Sequence, residues 1–294
     1  MHISAENASY YDQLIAASPE LSGNLDAWQA YQQLHARYHA FLEGLPKRSV
    51  REGGTPKAIW WCWLQGAESA PPLCQACFDS LVRNMPDDWQ IFIITEANYH
   101  ELVTLPSFIE QKYRKGIISR THFSDILRLA LLTRYGGAWI DATVYCSEDA
   151  GDFLAAQPLF AYQHIWRGSP GIPASNWLIS AVPHHPILEA TQSLLCHFWQ
   201  ENDVLPNYFL FHLLWKMAAE KYPMLWHQMP RYSNVPPHFL QMELLDPYTE
   251  ERKEQIFRMS RFHKLTYHLP ALTEAQLRGT FLEKILASRE KLRG

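Results

Sequence analysis

The stretch Arg120-Thr-His-Phe-Ser-Asp125-Ile-Leu-Arg128-Leu-Ala-Leu-Leu-Thr-Arg-Tyr135-Gly-Gly-Ala-Trp-Ile-Asp141-Ala-Thr-Val-Tyr-Cys146 decides how the chain is read. Apolar residues at Phe123, Ile126, Leu127, Ala130, Leu131 and Tyr135 have the spacing of one buried helical face, which predicts a helix over 121–135. Gly136 and Gly137 follow, suited to a left-handed cap and a tight turn because neither carries a Cβ. Ala138 to Tyr145, rich in Trp, Ile, Val and Tyr, reads as a strand. Asp125 and Arg128 share one side of the helix near its start. Asp141 interrupts the apolar strand, and a buried carboxylate is costly unless it is paired, hydrogen-bonded or bound to a cation or ligand. The plain alternative for Asp125 and Arg128 is a surface ion pair.

Outward from this block, Lys57-Ala-Ile-Trp-Trp-Cys-Trp-Leu64 is a continuous apolar run, typical of a strand buried on both faces. A helix over 72–85, a strand over 89–95 and helices over 96–104 and 107–115 come next. Such alternation predicts an α/β fold with a largely parallel sheet and helices on both sides. Ligands of such sheets bind beyond the carboxyl ends of the strands, where Leu64-Gln-Gly66 and the tip of the 138–145 strand converge. Strands over 158–164 and 176–181, helices over 186–201 and 207–221, and an irregular Pro- and aromatic-rich segment from Pro223 to Pro247 follow.

Residues up to about 46 read as helical, with Trp28, Tyr31, Leu34, Tyr38, Phe41 and Leu42 forming an apolar stripe. The polar, glycine-containing run Lys47 to Thr55 reads as a connection. Thr273-x-x-Gln276 has the form of a capping box, which predicts a closing helix over 274–291. The chain thus divides into an N-terminal helical extension (1–50), a main domain (56–268) and a closing helix (269–294) packed on it.

Composition narrows the function classes. At 294 residues, with a formal net charge of −4 and 19% charged residues, the chain can bury a full core and carries neither a basic nucleic-acid footprint nor a disordered acidic character. The start Met-His-Ile-Ser-Ala-Glu-Asn lacks the basic start and apolar run of a signal peptide, and no long uninterrupted apolar window follows, so a cytoplasmic protein is expected. Five cysteines in such a chain are expected to be reduced. Cys74-x-x-Cys77 has no second ligand pair to complete a structural zinc site, so it reads as part of a helix.

The elements Pro56-Lys-Ala-Ile-Trp60, Trp63-Leu-Gln-Gly66, Ser124-Asp-Ile-Leu-Arg128, Tyr135-Gly-Gly137 and Trp139-Ile-Asp-Ala-Thr143 resemble the capsular polysaccharide synthesis proteins. These belong with the retaining GT-A glycosyltransferases that include Golgi mannosyltransferases and the large glucosylating toxins. Weaker marks are Asn176-Trp-Leu-Ile-Ser180, His185-Pro186 and His263-Lys-Leu-Thr-Tyr267. The resemblance implies a GT-A fold and sugar transfer, with retention, from a nucleotide-sugar, UDP-linked by preference. The acceptor it implies is an oligosaccharide or lipid-linked glycan of a bacterial capsule or lipopolysaccharide.

It further implies that Asp125 and Arg128 hold the donor sugar and that Asp141 stands as the first aspartate of an Asp-x-Asp motif binding ribose, diphosphate and a divalent metal, Mn²⁺ or Mg²⁺. Position 143 is Thr where the wider pattern has Asp, and a hydroxyl is a poorer ligand for such ions than a carboxylate. By the same resemblance, His263 would help hold the metal or diphosphate, with Lys264 as a further donor. Trp63 would stack on the base, and Gln65, Thr143 and Asn176 would join the donor site. Each has a structural alternative: a locally bonded histidine, a core tryptophan, a polar strand residue. Peripheral contact with the inner face of the plasma membrane through the N-terminal helix or Lys47-Arg48 is also implied. The rival readings are a glycoside hydrolase using Asp125 and Asp141, and a non-catalytic binder of nucleotide-sugars or glycans.

Overall fold

The computed structural model describes residues 22–50, 53–164 and 171–288. The helices are α1 (Ser22–Gly44), α2 (Pro72–Asn84), α3 (Tyr99–Leu102), α4 (Ser107–Arg114), α5 (Arg120–Tyr135), α6 (Gly151–Ala155), α7 (Pro186–Glu201), α8 (Leu210–Lys221), α9 (Pro223–Gln228), α10 (Phe239–Met242), α11 (Glu250–Met259), α12 (Glu274–Leu277) and α13 (Phe281–Ala287). The strands are β1 (Ala58–Cys62), β2 (Gln90–Ile94), β3 (Gly137–Ile140), β4 (Val144–Cys146), β5 (Leu159–Gln163), β6 (Ala174–Ala181) and β7 (Phe262–Lys264).

Five strands form a central sheet in the order β2-β1-β3-β6-β5. β1 is parallel to β2 and β3, whereas β6 runs antiparallel to both β3 and β5. Only β6 therefore points against the rest, and the α/β class with a mostly parallel sheet is as expected from the alternation. The reversal matters for the site. It brings the start of β6 to the same sheet edge as the carboxyl ends of β1, β3 and β5.

Strand alternation sorts the core into two layers. Trp60, Trp139, Leu159, Ala161, Ile179 and Ala181 pack into one cluster with residues of α1, α5, α7 and α8. Ile59, Trp61, Ala138, Ile140, Phe160 and Leu178 pack on the other face with Cys74 and Leu81 of α2. A third cluster joins Leu73, Ala76 and Cys77 of α2 to Leu240, Ile256, Leu265, Phe281 and Ile285, so the C-terminal elements dock on the outside of α2. Cys74 and Cys77 point into different apolar clusters, and burial pushes the Cys74 thiol up to about 12. On α1 the predicted stripe is the buried one, with Tyr31, Leu34, Tyr38 and Leu42 all inside.

Three sequence expectations are corrected here. The strand expected over 138–145 is two strands in two sheets, β3 and β4, separated by a turn at 141–143. Asp141 therefore ends a strand instead of interrupting one, and its carboxylate leaves the sheet where water and ligands can reach it. The closing helix expected over 274–291 is also broken. Its capping box at Thr273 and Gln276 is present, but Gly279 has φ 77° and Thr280 pairs with Pro247 before capping a new helix, α13. Residues beyond 288 lie outside the described part. Helix α11, α6 and β7 were not expected at all, and the helix expected over 96–104 is only Tyr99–Leu102.

The double glycine is required on two counts. Gly136 and Gly137 have φ 69° and 89°, and a Cβ on Gly137 would lie 2.5 Å from the carbonyl oxygen of Ala58. Gly137→Ala is expected to destabilise by about 1–3 kcal/mol, through left-handed strain plus displacement of β1. Urea unfolding of the variant checks this, and an unchanged midpoint would show that the turn tolerates a side chain.

Candidate functional site

The sheet edge described above opens into a cavity of about 730 Å³. Its floor collects the end of β1 (Cys62, Trp63), the turn after β3 (Asp141, Ala142, Thr143), the start of β6 (Ser175, Asn176, Trp177) and the first turns of α5 (Ser124, Asp125, Arg128). Helix α5 is set by a Ser119 side chain that accepts from the His122 amide, which aims its first turns at this edge.

The charged groups form one network. The Arg128 guanidinium donates through Nη1 to Asp125 Oδ1 and through Nη2 to Asp141 Oδ1 at 3.0 Å. Asn176 Nδ2 donates to Asp125 Oδ1 at 2.9 Å. The Trp139 indole N–H donates to Asp141 Oδ1 at 2.8 Å. From the other side, Lys264 Nζ donates to Asp141 Oδ2 at 3.1 Å and to Thr143 Oγ1 at 2.5 Å. Arg128 is 3% exposed and lies between the Trp139 and Phe211 rings, 4.8 and 5.4 Å from their centroids. Burial raises the Asp141 carboxyl, yet Lys264 and Arg128, with the hydrogen bonds from Trp139 and Lys264, outweigh it and hold the group below its ordinary value. Two carboxylates thus face two cations, and Asp141 is held ionised.

Above this floor stands an aromatic ledge. Trp63 meets Tyr267 edge-on with centroids 5.6 Å apart, and Tyr208 lies exposed at the rim. The lining also carries His164, His212, Asn234 and His238. Burial pushes His164 and His212 down to about 4, so both imidazoles are neutral near pH 7.

Of the residues singled out in the sequence, Trp63, Asp125, Arg128, Asp141, Thr143 and Asn176 all line the cavity. Gln65 and His263 do not. Gln65 is exposed beyond the end of β1. His263 is fully buried on the far side of β7, against the Tyr145 and Phe257 rings, with Nε2 3.1 Å from Ser147 Oγ. The cause is strand alternation: β7 pairs with β4 so that 263 and 264 face opposite ways, and Lys264 takes the cavity side. Of the two donors expected from the 263–267 segment, Lys264 lines the cavity and His263 does not. No role was expected for Tyr208 or Tyr267, which lie in loops, or for the histidines, of which His212 sits within helix α8 with nothing in its spacing to mark it.

Nor does the donor set suit a divalent cation. Asp141 supplies one carboxylate, both of its oxygens are taken by cationic or indole donors, and its neighbour is a threonine hydroxyl with an ammonium already on it. Mg²⁺ and Mn²⁺ favour carboxylate oxygens, and among the described residues no group of three or more His, Cys, Asp or Glu is gathered for one.

A family model described as capsular polysaccharide synthesis protein matches residues 15–285. The chain belongs to that family. Among proteins similar to this family member, O-glycosyltransferase PaGT of Phomopsis amygdali is 24% identical over 196 residues, 62% of this chain and 45% of that protein. O-glycosyltransferase braB of Annulohypoxylon truncatum is 24% identical over 230 residues, 71% and 51% of the respective chains. The chain spans about half the length of the curated relatives it matches. Among solved structures, the PaToxG glycosyltransferase aligns over 82% of this chain and 95% of its own at 16% identity and TM-score 0.41. The glycosyltransferase GlyE of Streptococcus pneumoniae TIGR4 aligns over 81% and 64% at 11% identity and TM-score 0.38.

The buried histidines carry a pH prediction. His185 and His263 are pushed down to about 4 and about 3 by burial, from an ordinary value of 6.5. The unfolded chain therefore takes up their protons first as pH falls. Their contribution to stability is complete above pH 6.5 and is lost as pH drops toward their folded values. Each contributes a slope of about 1.4 kcal/mol per pH unit in that window. Unfolding midpoints in urea should fall steadily from about pH 6.5 to about pH 4.5, and a flat profile would show that these rings are not buried neutral.

Proposed function

We propose that this protein is a glycosyltransferase of the GT-A type that moves a sugar from a nucleotide-diphosphate donor, UDP-linked by preference, to an acceptor hydroxyl with retention. The observation that carries the reading is the Asp125–Arg128–Asp141–Lys264 network at the carboxyl ends of β1 and β3, with the Trp63 ledge beside it. Leaving-group departure from the anomeric carbon develops negative charge on the diphosphate, and fixed donors in a partly water-excluded site stabilise it. Asp125 and Asn176 suit sugar hydroxyls, which both donate and accept. Trp63 and Tyr267 offer a stacking surface for the base.

The names of the two curated relatives support an oxygen acceptor, and the family description supports a role in surface polysaccharide synthesis. A lipid-linked glycan would bring the reaction to the inner face of the plasma membrane, reached by peripheral contact. No helix among the described residues is long and apolar enough to cross a membrane. A hydrolase would need one of the two carboxyls protonated or free for water, whereas Asp141 is held ionised and both acids are engaged by Arg128.

Calorimetry and turnover with a panel of UDP- and GDP-sugars test the reading: one donor should bind and be slowly hydrolysed or transferred. Binding without any turnover would favour the non-catalytic binder. Trp63→Ala is expected to weaken binding of the chosen nucleotide by about 1–3 kcal/mol, roughly 5- to 150-fold. Equal affinity of the variant and the parent in the same titration would assign the base to another surface.

A further inference from the structure

We propose that Lys264 does the work of the divalent cation, and that transfer is metal-independent. The inference rests on the glycosyl-transfer reading and deepens it. Three observations converge on the turn at 141–143. Position 143 supplies a hydroxyl in place of a carboxylate, which removes half of the ligand charge a metal there would require. The Lys264 ammonium bridges Asp141 Oδ2 and Thr143 Oγ1, at 3.1 and 2.5 Å, so a positive charge already stands between the two side chains that would grip a metal. The other oxygen of Asp141 accepts from both Arg128 and Trp139. A dication placed among these groups would meet the ammonium and the guanidinium at close range, with Asp141 the one carboxylate it would share with both.

The position of Lys264 is built, not incidental. Antiparallel pairing sets it opposite Val144, and the Leu265 amide donates to the Thr143 carbonyl at 2.9 Å, so the same backbone that makes the turn fixes the lysine. Its side chain is 22% exposed and lines the cavity, so the head group is reachable. An ammonium has three N–H donors, and two are engaged here, which leaves one for a phosphate oxygen. Arg128, buried and paired with both acids, holds Asp141 in place for this purpose. Two carboxylates against two cations leave the network neutral, so the incoming diphosphate meets no excess negative charge.

The step balances as follows. The bond between the anomeric carbon and the phosphate oxygen breaks, and its electron pair stays on that oxygen. The third N–H of Lys264 donates a hydrogen bond to the diphosphate as the charge develops, without giving up its proton. The acceptor oxygen forms the new bond to the anomeric carbon, and its proton passes to the released diphosphate.

The test compares uridine, UDP and the turned-over donor with wild-type protein, Lys264→Ala and Lys264→Arg, each after EDTA treatment and again with Mn²⁺ restored. For the wild type, UDP affinity and turnover should be the same in both conditions. Lys264→Ala should keep its affinity for uridine, which has no phosphate, lose UDP affinity by about 10-fold or more and lose turnover by about 10²–10³-fold, with no recovery in Mn²⁺. Lys264→Arg, which keeps a cation on the strand, should recover part of the UDP affinity. Unchanged uridine binding shows that both variants fold. Wild-type turnover abolished by EDTA and restored by Mn²⁺, or UDP affinity untouched in Lys264→Ala, overturns the assignment while leaving glycosyl transfer intact. Failure of every donor in the panel to turn over in either condition overturns the transfer reading, and this one with it.

Discussion

Asp141→Ala is expected to lower sugar transfer by about 10³-fold or more, beyond the loss typical for removing one stabilising donor, because Asp141 positions two cations at once. Among the described residues, its carboxylate is the one group that hydrogen-bonds to both Arg128 and Lys264. Without it the ammonium is free to swing toward solvent, and the guanidinium loses one of its two acids. The fold should survive. Asp141 keeps a quarter of its side chain exposed, Lys264 nearly as much, and water can take over the lost hydrogen bonds. Donor hydrolysis measured beside a thermal unfolding curve checks both halves of the statement, and near wild-type turnover would remove Asp141 from the site.

Arg128→Leu should have the opposite balance, with a loss of stability of about 3–5 kcal/mol accompanying the loss of transfer. The difference lies in burial. Asp125 is 5% exposed, and Arg128 is its charged partner, with Asn176 Nδ2 and a His122 ring nitrogen 3.6 Å away as the remaining support. Removing the guanidinium leaves a buried carboxylate uncompensated, which costs far more than the ion pair was worth. The double variant Asp125→Asn with Arg128→Leu should therefore recover part of the stability, since the stranded charge goes with its partner. Urea unfolding of the three variants measures this, and strict additivity of the two losses would show that the pair is not coupled.

The legible part of the site was local. Asp125 and Arg128 lie one helical turn apart, and any helix long enough to bury Phe123, Leu127 and Leu131 must carry them on the same side. The rule that ligands gather beyond strand ends brought Leu64-Gln-Gly66 and the tip of the 138–145 strand together, but it left Asp141 inside that strand. Only the break after β3 sets its carboxylate in the cavity with Trp63. Lys264 is different. It stands 123 residues from Asp141, and only the pairing of β4 with β7 brings the two within hydrogen-bond distance. A three-residue strand leaves almost no periodic signal, and a one-residue choice within it sends the side chain to the opposite face. That is why the sequence could name both His263 and Lys264 for the site but not choose between them, and the structure places only Lys264 there.

The sequence by itself determined the class of fold, the helix and strands on which the two acids and the arginine ride, and the glycine turn between them, because each follows from contacts within a few residues. Only the tertiary structure decided where the strand after that turn breaks, that β6 runs backward to deliver Asn176, and which of two adjacent residues on β7 completes the charge network. The physical reason is that these depend on pairing between segments far apart in the chain, whose register is set by the packing of whole layers and leaves no trace in local spacing.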